Sequence, residues 1–164
     1  MAAGSPDEGP YKLRFLELSD FAKGYSRLLA QLTEVGDLTE ERFAEIFQLR
    51  ERGPYKTIVI EHLPSQQLVA SGTLLVEAKF IHAGANVGHV EDIVCDAAHR
   101  GQGLAKRLMA ALGDEAQKAG CYKVILDCNE GNVPFYEKCG YEKRELQMRR
   151  NIPPGPKDPA AGAA

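Results

Sequence analysis

The stretch from Gly88 to Lys106, GHVEDIVCDAAHRGQGLAK, constrains the fold more than any other part of the chain. In it a short apolar strand runs into Arg100-Gly101-Gln102-Gly103-Leu104-Ala105 and then directly into an amphipathic helix. Glycines at 101 and 103 remove the Cβ atoms that would keep a phosphate away from the main chain. The first turn of the helix has N–H groups without intrahelical partners, and its dipole favours negative charge there. With Arg100, Lys106 and Arg107 alongside, these features predict a loop that holds a pyrophosphate through backbone amides and needs no metal. The plainer alternative, a glycine-rich turn that only joins strand to helix, gives those basic residues no task.

Two nucleotide loops are excluded by the same residues. Arg107 follows Lys106 where a P-loop needs a hydroxyl for Mg²⁺, and Lys106 takes the place of the third glycine of a dinucleotide fold. A formal net charge of -3 leaves no general basic surface, so nucleic acid is not an expected partner. No apolar run reaches the ~18 residues of a membrane span, and the polar start of the chain lacks a signal-peptide core. Cys95, Cys121, Cys128 and Cys139 form no Cys-x-x-Cys pair and no zinc spacing. They read as buried free thiols of a soluble protein in the reducing cytoplasm, with peripheral attachment to an intracellular membrane left open. One domain is expected over residues 11–151, with 1–10 and 152–164, rich in Gly, Pro and Ala, expected to be disordered.

Periodicity supplies the remaining elements. Tyr11 to Leu18 alternates as a half-buried strand; Ser19 and Asp20 cap a helix through Phe21, Tyr25, Leu28, Leu29 and Leu32; Thr39 caps a second with Phe43, Ile46 and Phe47 on its apolar face. Lys56 to His62 and Leu68 to Ile81 read as strands joined at Leu63-Pro64-Ser65. The strand Gly88 to Cys95 and the helix Gly103 to Ala119 come next. Val124-Ile125-Leu126 reads as a strand buried on both faces, Asn132 to Lys138 as a short helix, and Tyr141 to Arg150 as a last strand.

Arg100-Gly-x-Gly-x-Ala105 after a strand resembles the acetyl-CoA loop of the GNAT superfamily of N-acetyltransferases, and the element order is similar to theirs. The resemblance implies an α/β fold of the α+β type. Its central sheet would be mixed and mostly antiparallel, splayed between the fourth and fifth strands (Gly88 to Cys95 and Lys123 to Asp127), with helices on both faces. Three longer pieces, Gly88-His-Val-Glu-Asp-Ile93, Gly120-Cys-Tyr-Lys-Val-Ile-Leu-Asp-Cys128 and Phe135-Tyr-Glu-Lys-Cys-Gly-Tyr141, together with Leu32-Thr-Glu-Val-Gly36, narrow it. They resemble the glucosamine-6-phosphate N-acetyltransferases over roughly residues 11 to 150.

That likeness implies acetyl-CoA as co-substrate, glucosamine 6-phosphate as acceptor, and a homodimer whose last strands, with Leu146 and Met148 at the interface, complete each other's sugar site. Main-chain groups of Ile93, Val94 and Cys95 would hold pantetheine, and Arg100, Gly101, Gln102, Gly103, Leu104, Ala105 and Lys106 the CoA phosphates. Asp127 would position the amine and help deprotonate it, or else cap the helix after it. Tyr136 would lie near the CoA sulfur as general acid, or else serve as a core aromatic. Adjacent residues on a regular strand face opposite ways, so Glu91 and Asp92 could both meet the sugar only across a bulge, which the family's strand carries. Thr33, Lys79, His82 and Leu126, with Arg149 or Arg150, align with positions that contact the sugar or its phosphate. Two other activities remain open: acetylation of a protein or polyamine on the same fold, and acetyl-CoA binding without turnover.

Overall fold

A computed structural model describes residues 9–153. Most of the two termini expected to be disordered lies outside those residues. Five strands form one sheet in chain order: β1 Tyr11–Phe15, β2 Tyr55–His62, β3 Gln67–Ala78, β4 Asn86–Cys95 and β5 Cys121–Ile125. The first four pair antiparallel and β5 joins β4 in parallel. Helices α1 Tyr25–Leu29 and α2 Glu40–Glu51 cover one face, α3 Leu104–Lys118 the other, and α4 Val133–Lys138 comes after β5. None of these helices is long and apolar enough to cross a membrane.

The sheet is buried on both sides because its central strands are apolar on both. Ile58 and Ile60 of β2 pack with Leu104, Leu108 and Leu112 of α3, while Val59 between them packs with Tyr25, Leu28 and Phe43. The four-residue spacing of α3 therefore lands on the sheet as its sequence predicts. Thr39 also behaves as expected, its Oγ1 accepting the Arg42 N–H at 3.2 Å.

Four expectations are corrected. The first helix is broken: a 3-10 turn over Leu18–Lys23 ends at Gly24, and only α1 continues. Asp20 is fully buried; it caps this turn by accepting the Glu17 N–H at 2.8 Å and also takes two bonds of 2.7 Å from Arg14. Arg14 also reaches Glu61, which Lys23 holds from its other side. Burial disfavours the Glu61 charge, but these two cations outweigh it and hold the carboxyl below the ordinary range. Secondly, β5 is a sheet edge rather than a central strand, so Ile125 is 40% exposed. A run of three apolar residues cannot distinguish the two positions. Thirdly, no strand forms over Tyr141 to Arg150, although the outer edge of β5 is free: alternation of side chains does not by itself supply the main-chain pairing that makes a strand. Fourthly, Cys128 is exposed and the other three cysteines are only half-buried, though all four are free as expected.

The pairing of β3 with β4 is irregular at one point. Ser71 pairs with Val94 and Thr73 with Glu91, so Gly72 alone faces Asp92 and Ile93, a β-bulge on β4. Asp92 takes a left-handed φ of 55° to make it. Gly72 is required opposite, because an added Cβ would strike Ile93 Cδ1 and lie 3.0 Å from Leu112 and 3.2 Å from Leu108. Gly72→Ala should therefore destabilise the fold by about 1–3 kcal/mol through overpacking. The thermal midpoint measures this, and an unchanged midpoint would show that the bulge yields freely.

Candidate active site

β4 keeps β3 beside it to its end but loses β5 early. Parallel pairing runs from Asn86↔Cys121 to His89↔Ile125, with no further rung among the described residues. Beyond His89 the β5-facing edge of β4 is therefore open, and this is the splay expected between the fourth and fifth strands. Ile93, Val94 and Cys95 lie in that stretch, leading to the 3-10 turn Ala97–His99 and then to the glycine loop.

The loop has the backbone its sequence predicts. Gly101 and Gly103 take left-handed φ values of 78° and 74°, and Gly103 stands directly before the first residue of α3. A cleft of about 560 Å³ opens here, lined by Cys95, Arg100, Gly101, Gly103, Leu104, Ala105 and Lys106, with His99, Asn132 and Phe135. Its size suits a cofactor-sized ligand, and the free amides at the start of a 15-residue helix suit an anion at its rim. Gln102 is exposed in the same loop but does not line the cleft. Asn132 and Phe135 join the lining without having been expected there from sequence, although Phe135 opens one of the diagnostic motifs. A second cavity, about 230 Å³ between α2 and the start of β2, contains none of the expected site residues.

The acids gather on the bulge. Thr73, directly opposite Glu91, turns its hydroxyl to Arg50 of α2 at 2.7 Å, so Glu91 points to the α1/α2 face as well. Partial desolvation, reinforced by the charges of Asp92 and Asp127, lifts the Glu91 carboxyl above the ordinary glutamate range. Asp127, two residues beyond β5, is exposed rather than buried as expected, because β5 lies at the edge. It caps no helix: its Oδ2 accepts from Gln147 Nε2 at 3.0 Å. Leu126 is half-buried against the α3 side of the core.

Tyr136 lies in α4 and does not itself line the cleft; its ring is 5.1 Å from that of Phe135, which does, and 6.1 Å from Tyr141. Burial, with the nearby thiols of Cys128 and Cys139, raises its phenol, so it is protonated at neutral pH. The basic residues stand elsewhere. Lys79 forms an ion pair with Glu77, whose other oxygen meets His89 Nε2 at 2.8 Å. His82 stacks on Tyr122 with centroids 4.5 Å apart. Both lie just past the end of β3, beside Asn86 and five residues along β4 from Glu91, roughly 16 Å on an extended strand. Thr33 is exposed just after α1, and Arg149 and Arg150 are exposed on the segment that forms no strand.

An open strand edge thus leads to a glycine loop, with an acid cluster at its bulge and a half-buried phenol in the helix after β5. Residues 21–141 match the acetyltransferase (GNAT) family. The chain belongs to that family. It is 42% identical over 142 residues to the glucosamine 6-phosphate N-acetyltransferase of Arabidopsis thaliana, covering 85% of this chain and 95% of that one. It is 43% identical over 153 residues to glucosamine 6-phosphate N-acetyltransferase 1 of Dictyostelium discoideum, covering 92% and 96%. The crystal structure of the Arabidopsis enzyme superposes with a TM-score of 0.85 at 39% identity, over 87% of this chain and 99% of that one. These similarities make the chain an acyltransferase by kinship and agree with the fold predicted from its sequence.

The loop carries a direct test. A Cβ on Gly103 meets no protein atom within 4 Å, so Gly103→Val adds its bulk to the space above the loop. The left-handed backbone adds about 1–2 kcal/mol of strain. CoA affinity by calorimetry should fall at least about tenfold, equivalent to ~1.4 kcal/mol. Unchanged affinity would remove the loop from the binding site.

Proposed function

We propose that this chain transfers the acetyl group of acetyl-CoA to the 2-amino group of glucosamine 6-phosphate, giving N-acetylglucosamine 6-phosphate and CoA. The observation that carries the reading is a coincidence on one stretch of β4. The strand edge opens after His89, the glycine loop succeeds its end, and the bulge brings Glu91 and Asp92 beside Asp127. The relatives, glucosamine 6-phosphate N-acetyltransferases by name, supply the sugar.

Bound acetyl-CoA supplies an activated thioester. Gly101 and Gly103 let its pyrophosphate approach the amides at the start of α3, with Arg100 and Lys106 adding charge. Ile93, Val94 and Cys95 offer main-chain groups along the open edge, as a strand offers them to an added strand. Glu91, Asp92 and Asp127 attract the amino sugar as its ammonium and hold the nitrogen once neutral, with a carboxylate or a water taking the proton. A backbone N–H at Ile93 or Val94 steadies the carbonyl oxygen as nitrogen bonds to carbon. Tyr136 gives its proton to the sulfur as the carbon–sulfur bond breaks, a task for which a raised phenol is in the right form.

The sugar phosphate lies farther out, with Thr33, Lys79, His82 and Arg149 or Arg150 as its candidates. Lys79 reaches back through Glu77 to His89, two residues from Glu91, whereas His82 is turned to Tyr122. Leu146 and Met148 are 85% and 91% exposed, with Phe80 and Ile81 also uncovered, an apolar surface that a second copy would bury. A homodimer sharing its sugar sites accounts for these exposed apolar side chains.

The test is CoA release, followed with a thiol reagent, from acetyl-CoA offered with glucosamine 6-phosphate, glucosamine or a lysine peptide. Turnover with the phosphorylated sugar alone is expected, and turnover with the peptide alone would move the activity to protein acetylation. In Tyr136→Phe, kcat should fall on the order of 10²-fold with acetyl-CoA affinity nearly unchanged. Equal loss of both would place Tyr136 in binding rather than proton transfer.

A further inference from the structure

The short turn Ala97–His99 between β4 and the glycine loop is held from outside by an unusually complete set of bonds. Asp96, 6% exposed, accepts the Ala98 N–H on Oδ1 at 2.9 Å. On Oδ2 it accepts Gln31 Nε2 at 3.0 Å and Arg27 Nη1 at 3.2 Å. Gln31 then uses its other amide atom, Oε1, to accept the Ala97 N–H at 2.9 Å. Burial works against the Asp96 charge, yet the Ala98 amide, Gln31 and Arg27 outweigh it and hold the carboxyl below the ordinary range.

Gln31 thus spans two segments 65 residues apart in sequence. One is the turn that leads through Arg100 into Gly101 and Gly103. The other is the end of α1, where Gln31 N–H still bonds to Leu28 and Thr33 N–H to Leu29. Gln31 is two residues before Thr33, the candidate for the acceptor side. Its side chain lies on the surface, where it adds nothing to either apolar core. A surface amide that uses both its donor and its acceptor on one distant turn is poorly explained by burial and well explained by alignment.

We propose that Gln31, with Asp96, is a positioning residue that locks the cofactor loop and the Thr33 segment into one frame, so that occupation of the loop orders the acceptor side. The acceptor half of this inference rests on the function proposed above; the physical link between the two segments does not. Each segment is a loop with little core of its own, and such segments open locally at low free energy unless tied. A ligand that fixes the turn raises the fraction of time for which Gln31 is bonded, and with it the order of residues 31–36.

Hydrogen exchange with CoA as the probe tests the link without any sugar. In the native chain, CoA should slow amide exchange at 97–103 and also at 31–36. In Gln31→Ala it should slow exchange at 97–103 only. Gln31→Glu keeps the acceptor for Ala97 but sets an oxygen against Asp96, and should behave as Gln31→Ala does. Equal protection at 31–36 in all three proteins, or none in the native chain, would overturn the proposal. Kinetics supply the second readout: in Gln31→Ala the KM for glucosamine 6-phosphate at saturating acetyl-CoA should rise on the order of tenfold, within the usual range of coupling between sites. The thermal midpoint should stay within about 2 °C, since a surface amide contributes little to global stability. A fall in midpoint with parallel loss of CoA affinity would mean a merely structural bond. If the native protein binds CoA but does not turn over the sugar phosphate, the functional reading fails while the exchange result still decides the link.

Discussion

The structure depends on β4 having a different neighbour at each end of its free edge. Near Asn86 it is an ordinary internal strand, with β3 on one side and β5 on the other. Past His89 only β3 remains, and main-chain groups on the other edge face an opening. Unpaired backbone in a protein interior is costly unless something else bonds it. An opening of this kind on an inner strand is therefore where a ligand with strand-like hydrogen-bonding groups belongs.

The bulge refines the same strand. A regular β4 would send Glu91 and Asp92 to opposite faces, leaving one carboxylate against α3. Gly72 permits the extra residue by leaving room for Ile93, which fills the α3 side in place of an acid. Glu91, Asp92 and Asp127 form a cluster in which desolvation first, and then the neighbouring negative charges, raise the Glu91 carboxyl. Such a cluster is well suited to an ammonium that must be drawn in and then lose its proton. In α4, the half-buried Tyr136 shows the same effect of desolvation on a phenol.

Local features of the fold were legible. The left-handed glycines, the helix after them, the Thr39 cap and the β-forming runs of β2 and β3 arise from interactions within a few residues. Position in the sheet was not. Val124-Ile125-Leu126 has the composition of a central strand yet lies at an edge, and its exposure carries Asp127 into the open with it. Tyr141 to Arg150 has a strand's alternation but pairs with no edge, not even the free one of β5. The phenol, the acids and the glycine loop were found from motifs. Gln31, Arg27 and Asp96 were not, because nothing in a sequence marks bonds between residues 65 or 69 positions apart.

By itself the sequence determined the backbone of the glycine loop, the amphipathic helix behind it and the chemical inventory of the site. Each rests on steric freedom, hydrogen-bond periodicity or side-chain type, which belong to the residues wherever they fold. Tertiary structure alone decided that β5 leaves β4 after His89, that both acids share a face, and that Gln31 reaches Asp96. These outcomes depend on which surfaces meet. A strand edge, a bulge and a long-range amide bond have no energy until a second segment supplies the partner.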